Sequence, residues 1–571
     1  MTRAWREWSR GRRVLAVAVT VVAASGLAAG GLALAAEPTQ TGLVCVGSGG
    51  CYPTIQAAVN AAHAGDTITI GTGTFAGGIT ITKSVDLRGA GAAATIIRGG
   101  DHVLTIGAYG ATSEPAVSIS GVTVTGGLAR SSAMSVPLLG KAGVWAAGGG
   151  IQIPPGAHLA DGATVTISDS VITGNRANPS TSVPSGITCP GHFPQGKCPF
   201  APANGGGIDS WGALTLIRTA VTGNSAGATP GQPGTTSDAD GGGIYSRQGS
   251  LTLDHATVSG NHATATRPAG RFAEGGGIWA GVPDFGPGTD SGRDVLVIKD
   301  SRIFANTASL STDLPARFGG QVQNLVANTG GVIVAGRTST TRVENTVISR
   351  NTAIATDPKG EGGALDAGMN VTGGTLDMSG STVSGNRAIT RTGTSEGVGF
   401  AGTTLEADGG GTISNTRITG NFASVDSPHS AAGVSGALGV FANDSLLTVR
   451  DSVITGNTAV SRSSTGSADV QGAGVFNDGL LTLVNVTVSG NSGTATGPSG
   501  TAQGGGIFNG TNFTGPPVRL TLEHTTVTRN SLAGSHGVKE KGGGLFSAPP
   551  ATVVLQGSRI TRNVPDQCSG C

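Results

Sequence analysis

Apolar and polar positions recur along this chain in one short phrase that returns eleven times. Its clearest form, LTLDHATVSGN, runs from Leu251 to Asn261. Each copy closes on an asparagine: Asn175, Asn224, Asn261, Asn306, Asn351, Asn386, Asn421, Asn457, Asn491, Asn530 and Asn563. Three residues before it every copy has Val or Ile, and eight before it every copy has Leu, Ile, Val or Met. Ten before it nine of eleven are apolar, Thr341 and Gly411 being the exceptions. Apolar residues two apart, as in Leu251 and Leu253, share one face of a strand. Each copy therefore predicts two short strands with one buried face each. The Ser or Thr two before the Asn, present in all copies but the one with Phe304, is expected to face out. The asparagines are expected to stack as a ladder, because a buried amide needs partners of this kind.

A glycine-rich element precedes most phrases. It reads GGGIQI from Gly148, GGGIDS from Gly205, GGGIYS from Gly241, GGGIWA from Gly275, GGGIFN from Gly504 and GGGLFS from Gly542. Looser forms are GGALDA from Gly362 and GAGVFN from Gly472. The unit from Gly205 to Ala226 has the length of three short strands and three bends, one rung of a coil. The asparagines lie 33 to 49 residues apart, so the surplus is expected in loops such as 178–204 and 227–240. Recurrence at this period signals a solenoid or a propeller. With 4% aromatic residues and no Trp-Asp repeat, the chain lacks the marks of propeller blades. The expected fold is an all-β, right-handed parallel β-helix solenoid with rungs over 117–563.

Before the rungs, residues 52–66 predict a short capping helix. Ile55, Ala58, Val59 and Ala62 fall on one face, with Thr54 as N-cap and Gly65 as the stop. Strands follow at Thr67–Ile70, Ile79–Thr82 and Val85–Leu87. The marks TIQAAVNAA, GDTITI, GTF and ITITKSVDLRG resemble the N-terminal cap and first coils of right-handed parallel β-helix proteins of the pectin-lyase-like superfamily. The GGGI…LTL…SGN units are similar to the repeats of bacterial secreted and outer-surface β-helix proteins. The resemblance covers nearly all of residues 37–571 and implies the fold. It does not select a function, because this scaffold hosts lyases, hydrolases, esterases, adhesins and proteins without activity.

Composition adds a compartment. Residues 1–36 carry five arginines and one glutamate around the apolar run Val14–Leu34 and read as a secretory signal peptide. Of 35 basic and 34 acidic side chains, its removal leaves 30 and 33, a net charge of −3. That balance excludes nucleic acid as a partner, and no stable membrane span is expected after cleavage. The six cysteines fall into three close pairs, Cys45 with Cys51, Cys189 with Cys198 and Cys568 with Cys571, expected as disulfides of an exported chain. A secreted or cell-surface monomer follows.

Candidate chemistry is sparse. The catalytic patterns of the resembled enzymes are missing: there is no Asp-Asp pair, Gly-His-Gly or Arg-x-Lys. His255 and His524 share a repeat position many rungs apart, and no His pair has metal spacing. No resident metal or cofactor is expected. Asp238, Asp240, Glu274 and Glu361 stand at or beside the glycine corners, where carboxylates of adjacent rungs form a candidate Ca²⁺ or ligand edge. The plainer reading makes them solvated corner residues. Trp211, Tyr245 and Trp279 are candidate aromatic contacts for a ligand. The leading expectation is a non-catalytic β-helix that binds surfaces or glycans at the cell envelope. The alternative is a polysaccharide-active enzyme, lyase or hydrolase, whose sign would be three or more carboxylates with an Arg or Lys in one groove.

Overall fold

The computed structural model describes residues 43–571 except 48, 131, 137–140, 158–161, 179–201, 229–236, 267–269, 282–294, 312–316, 319–320, 323–324, 337–339, 358–361, 373, 394–397, 429, 435, 441–445 and 511–517. The signal peptide expected over residues 1–36 lies outside the described residues. The remainder is a right-handed parallel β-helix. A full rung contributes to five stacked sheets, which among the described residues contain 16, 14, 11, 12 and 14 strands; the first two rungs and the last supply only three of them. We name them A to E in chain order. In one rung they are Leu251–Asp254, Thr257–Ser259, His262–Ala265, Gly270–Glu274 and Ile278–Gly281. The three strands expected per rung are therefore A, B and E. Strands C and D were hidden in what reads as loop.

Sheets A, B and E enclose one column of Val, Ile, Leu and Met. The phrase supplies strands A and B, with Leu251, Leu253 and Val258 pointing inward. The corner between them is a left-handed residue: Asp169, Arg218, His255, Asp300, Asn345 and their equivalents all have φ near +50°. Asp, Asn and His tolerate that conformation better than other side chains, which fits their frequency there. Sheets C and D lie against each other over a second core made almost entirely of alanine. Ala226, Ala263, Ala308 and Ala353 come from C; Ala239, Ala273, Ala327 and Ala364 come from D. Such small side chains let the two sheets form a thin wall beside the main column.

The asparagines turn the corner from B to C. Each Oδ1 accepts both the backbone N–H and the Nδ2 of the preceding Asn at 2.8 to 3.1 Å, from Asn175 to Asn563. Gly127 stands where an Asn would begin the ladder, and its N–H donates to Asn175. Gln567 ends it by accepting from Asn563. A second ladder, not foreseen, runs five residues before the Asn: Ser301, Thr346, Ser381, Thr416 and Ser452 each accept the backbone N–H of the rung before.

The glycine triplet has a specific cause. Gly241 takes φ +62°. A Cβ on Gly242 would enter the His262 carbonyl of strand C, and one on Gly243 would lie 2.6 Å from Gly277 O and 2.9 Å from the Asn261 amide carbon. The corner is glycine because the backbone is pressed against the Asn ladder. Gly243→Ala is expected to cost about 3 kcal/mol, the upper range for overpacking. Gly227→Ala, with nothing within 4 Å of the new Cβ, is expected to be near neutral; thermal unfolding of the two compares them.

One rung revises the sequence alignment. GGALDA from Gly362 is not a glycine corner: Gly362–Leu365 is a D strand, and the corner is Asp366–Ala367–Gly368, with Asp366 at φ +35°. In register with Asp240 and Glu274 stand Asn328 and then Leu365, so Glu361 is not their equivalent; it also lies outside the described residues.

At the N-terminus, helix Ile55–Ala61 buries Ile55, Ala58 and Val59, with Thr54 Oγ1 accepting from Ala57 N. It ends at Ala62 rather than at Gly65, which takes φ +92° in the following turn. At the other end Leu555 is 49% exposed, so the last rung is only partly covered. Cys45–Cys51 and Cys568–Cys571 are disulfides; Cys189 and Cys198 lie outside the described residues. No helix among the described residues is long and apolar enough to cross a membrane.

Candidate functional site: a buried carboxyl notch

Alternation in strand E points every second residue away from the column. After the buried Ile, Val, Met or Leu, the outward register reads Gln152, Asp209, Tyr245, Trp279, Ile333, Asn370 and Glu406 on successive rungs. An outward face is ordinarily wet. Here Asp209, Tyr245 and Trp279 are only 1, 3 and 4% exposed. The glycine corner folds sheet D back beside them, and the end of D overhangs E: the Trp279 indole donates to Glu274 Oε2 at 3.2 Å. The result is a notch between D and the outer face of E.

Asp238, Asp240 and Glu274 enter this notch from D; Asp209, Tyr245, Trp279, Trp211 and Arg247 enter it from E and its continuation. Tyr245 and Trp279 stack at 4.5 Å between ring centroids. The Arg247 guanidinium lies 4.6 Å from the centre of the Trp211 ring and is 2% exposed. Burial pushes the Asp209 carboxyl up to about 7, against the pull of Arg247 and a hydrogen bond from Trp211. Burial, then Glu274, then Asp238 hold Asp240 well above the carboxylate range, and Arg247 only partly opposes them. Burial likewise raises the Tyr245 phenol, so its hydroxyl stays a donor at neutral pH. Asp209 Oδ2 and Asp240 Oδ1 are sealed from solvent and have no hydrogen-bond partner among the described residues. At one end of the column the Gln152 amide donates to the Tyr109 hydroxyl at 2.7 Å.

Further along the same face stands a second carboxyl group. Thr403 and Asn370 donate to the two oxygens of Asp366 at 2.5 and 2.7 Å. Glu406 hydrogen-bonds both Asp366 and Asp408. Burial is the first cause of the raised values of all three, with Asp408 at about 7.

Of the residues singled out from sequence, Asp238, Asp240, Glu274, Trp211, Tyr245 and Trp279 are brought together. The expectation of solvated corner carboxylates is corrected: Asp238, Asp240 and Glu274 are half-buried at the end of sheet D rather than fully solvated, and Glu361 lies outside the described residues. Trp211 and Tyr245 are not equivalent, since Tyr245 registers with Asp209, and Trp211 stands two residues on. Among the described residues the notch carboxylates do not form a group of three metal donors within 4.8 Å of one another. Sequence reasoning missed Asp209, Arg247, Asp366 and Glu406. The available signal was the position directly after the Ile of GGGI, which holds Asp, Tyr and Trp on successive rungs.

The raised Asp209 value predicts a pH effect on stability. Its folded value is about 7 and its ordinary value 3.8, so the folded state keeps a proton that the unfolded chain has lost between those limits. The stabilisation is complete below about pH 4 and is lost as pH rises through about 7, on the order of 4 kcal/mol for this group alone. Asp209→Asn is expected to flatten that part of the profile; denaturant unfolding at pH 5 and pH 8 measures it.

No protein-family model matches the sequence, and no curated protein matches it. Among solved structures the chain is similar to the mannuronan C-5 epimerase A-module of Azotobacter vinelandii, at 12% identity and a TM-score of 0.26, over 90% of this chain and 95% of that one.

Proposed function

We propose that this chain is an exported polysaccharide-active enzyme, a glycoside hydrolase acting on neutral glycans through the carboxyls of the notch. One observation carries the reading: Asp240, half-buried with one oxygen sealed from solvent, has its carboxyl held well above the ordinary range beside Glu274 and Asp238, and Asp209 is pushed up to about 7 in the same notch. Glycosidic cleavage needs such a pair, one carboxyl holding its proton and another able to give it up. Asp240 gives its proton to the glycosidic oxygen as the C–O bond breaks. Asp209, ionised, takes a proton from the attacking water. The Tyr245 hydroxyl and the Arg247 guanidinium orient sugar hydroxyls.

Charge decides the substrate class. Among the described residues four carboxyls face one arginine, so a polyuronate would meet like charge, and the enolate of a lyase reaction would find only that arginine for support. A neutral chain meets neither obstacle. Asp209, Tyr245 and Trp279 are almost fully buried, so a glycan reaches them only when the end of sheet D opens from sheet E; the second reading, a non-catalytic envelope protein that binds glycans on its outer surface, needs no such opening. Incubation of the purified protein with neutral polysaccharides and with polyuronates separates the two. New reducing ends from a neutral glycan support the hydrolase, unsaturated uronide products would replace it with a lyase, and retention without turnover would leave the binder.

A further inference from the structure

The left-handed corner between sheets A and B projects its side chain at the same place on every rung. Successive rungs lie about 4.8 Å apart, so these side chains stack. At one step the stack sets an imidazole beside a carboxylate, His255 next to Asp300, and the preceding residue Asp254 adds a second carboxylate. The donor atoms of Asp254, His255 and Asp300 all lie within 4.8 Å of one another, and this is the one such group of three among the described residues. His255 Nδ1 is 2.6 Å from Asp254 Oδ1, and Asn345 Nδ2 donates to Asp300 Oδ1 at 3.3 Å. No other rung places an imidazole over a carboxylate here: the neighbours carry Arg218 before and Asn345 after.

We propose that Asp254, His255 and Asp300 form a surface site for a divalent first-row transition ion, which ties two consecutive rungs together. One imidazole nitrogen and two carboxylate oxygens, with water completing the shell, suit Zn²⁺ and its neighbours and leave Ca²⁺, which prefers all-oxygen sets, at a disadvantage. Ligands about 2.0–2.2 Å from a tetrahedral ion stand roughly 3.3 Å apart. The 2.6 Å contact between Asp254 and His255 therefore opens slightly on binding, which a rotation of the exposed imidazole provides. The Asp254 carboxylate lies between the His255 imidazole and the Lys299 ammonium. The Lys299 ammonium, 3.0 Å from Asp254 Oδ2, is the resident competitor for that charge. The site stands on the A–B corner, apart from the notch residues, and does not depend on the proposed enzymatic function.

Isothermal titration of the tag-free protein with Zn²⁺, Mn²⁺ and Ca²⁺ tests it. The native protein is expected to take one Zn²⁺, more tightly than Ca²⁺, and to melt at a higher temperature with it. His255→Asn and Asp300→Asn keep residues that tolerate the left-handed corner, and each is expected to weaken Zn²⁺ at least tenfold and to abolish the thermal shift. Lys299→Met is expected to bind Zn²⁺ several-fold more tightly. The proposal fails if the native protein takes no Zn²⁺, if His255→Asn binds it as well as the native chain, or if Lys299→Met binds it no more tightly.

Discussion

Asn386→Ala is expected to destabilise the coil by about 3–6 kcal/mol. The Asn386 Oδ1 accepts the backbone N–H and the Nδ2 of Asn351, both at 3.0 Å, while its own Nδ2 donates to Ile348 O at 3.1 Å and Asn421 Oδ1 at 3.0 Å. Truncation strands two buried donors and removes a donor from a buried carbonyl, at about 1–3 kcal/mol for each unsatisfied group. The methyl group that replaces the amide cannot reach any of them. Asn386 is 0% exposed and sits between two neighbours that rely on it. Asn563 makes the same bonds at the last rung, where Leu555 and Val564 are already half exposed and water can substitute. Asn563→Ala is therefore expected to cost only about 1–2 kcal/mol. Urea unfolding measures both, and amide exchange locates the opening, because rungs of a solenoid lose stability through nearest neighbours. Equal costs at the two positions would show that the ladder is not what stabilises the stack.

Asp240→Asn is expected to lower turnover of a neutral glycan by about 10²- to 10⁴-fold, the usual contribution of a positioned proton donor. The amide fits the position, since the preceding rung carries Asn204 in register with Asp240. Folding is expected to be intact or improved, because the amide can never place a charge beside Glu274 and Asp238. Asp209→Asn should give a loss of similar size but act on the other limb of the pH profile, because Asp209 works ionised and titrates at about 7. Asp426→Asn, an exposed position on sheet C, is the control and should leave the rate unchanged. Full activity in Asp240→Asn would remove the acid from the proposed mechanism.

The phrase LTLDHATVSGN was fully legible because its length never varies. It runs from strand A through B into C with a single left-handed residue at the first corner and the Asn ladder at the second, so nothing can be inserted without breaking both. Strand E was marked by its glycine corner, whereas strands C and D were harder to read, because variable connections such as 229–236 blur the period around them. Glycine identity also misled at GGALDA. What defines that corner is backbone conformation, and Thr329 at φ +55° and Asp366 at φ +35° adopt it without being glycine. The site was half legible. Asp238, Asp240 and Glu274 stood out beside the glycines, whereas Asp209, Arg247 and Glu406 occupy positions that strand alternation assigns to solvent. Only the return of sheet D over sheet E buries them, and no local pattern encodes that return.

The alanine wall between sheets C and D has a consequence for how such a chain can change. Connections leave and re-enter at its outer edge, far from the Asn ladder that fixes register. Doubling a connection there costs only about 0.6 kcal/mol in closure entropy, while the rungs beneath keep their pairing. Residues 229–236 mark a place where foreign peptide could be grafted, or a rung's excursion exchanged for that of another, without retuning the coil. Excursions of this kind can thus be rewritten one rung at a time.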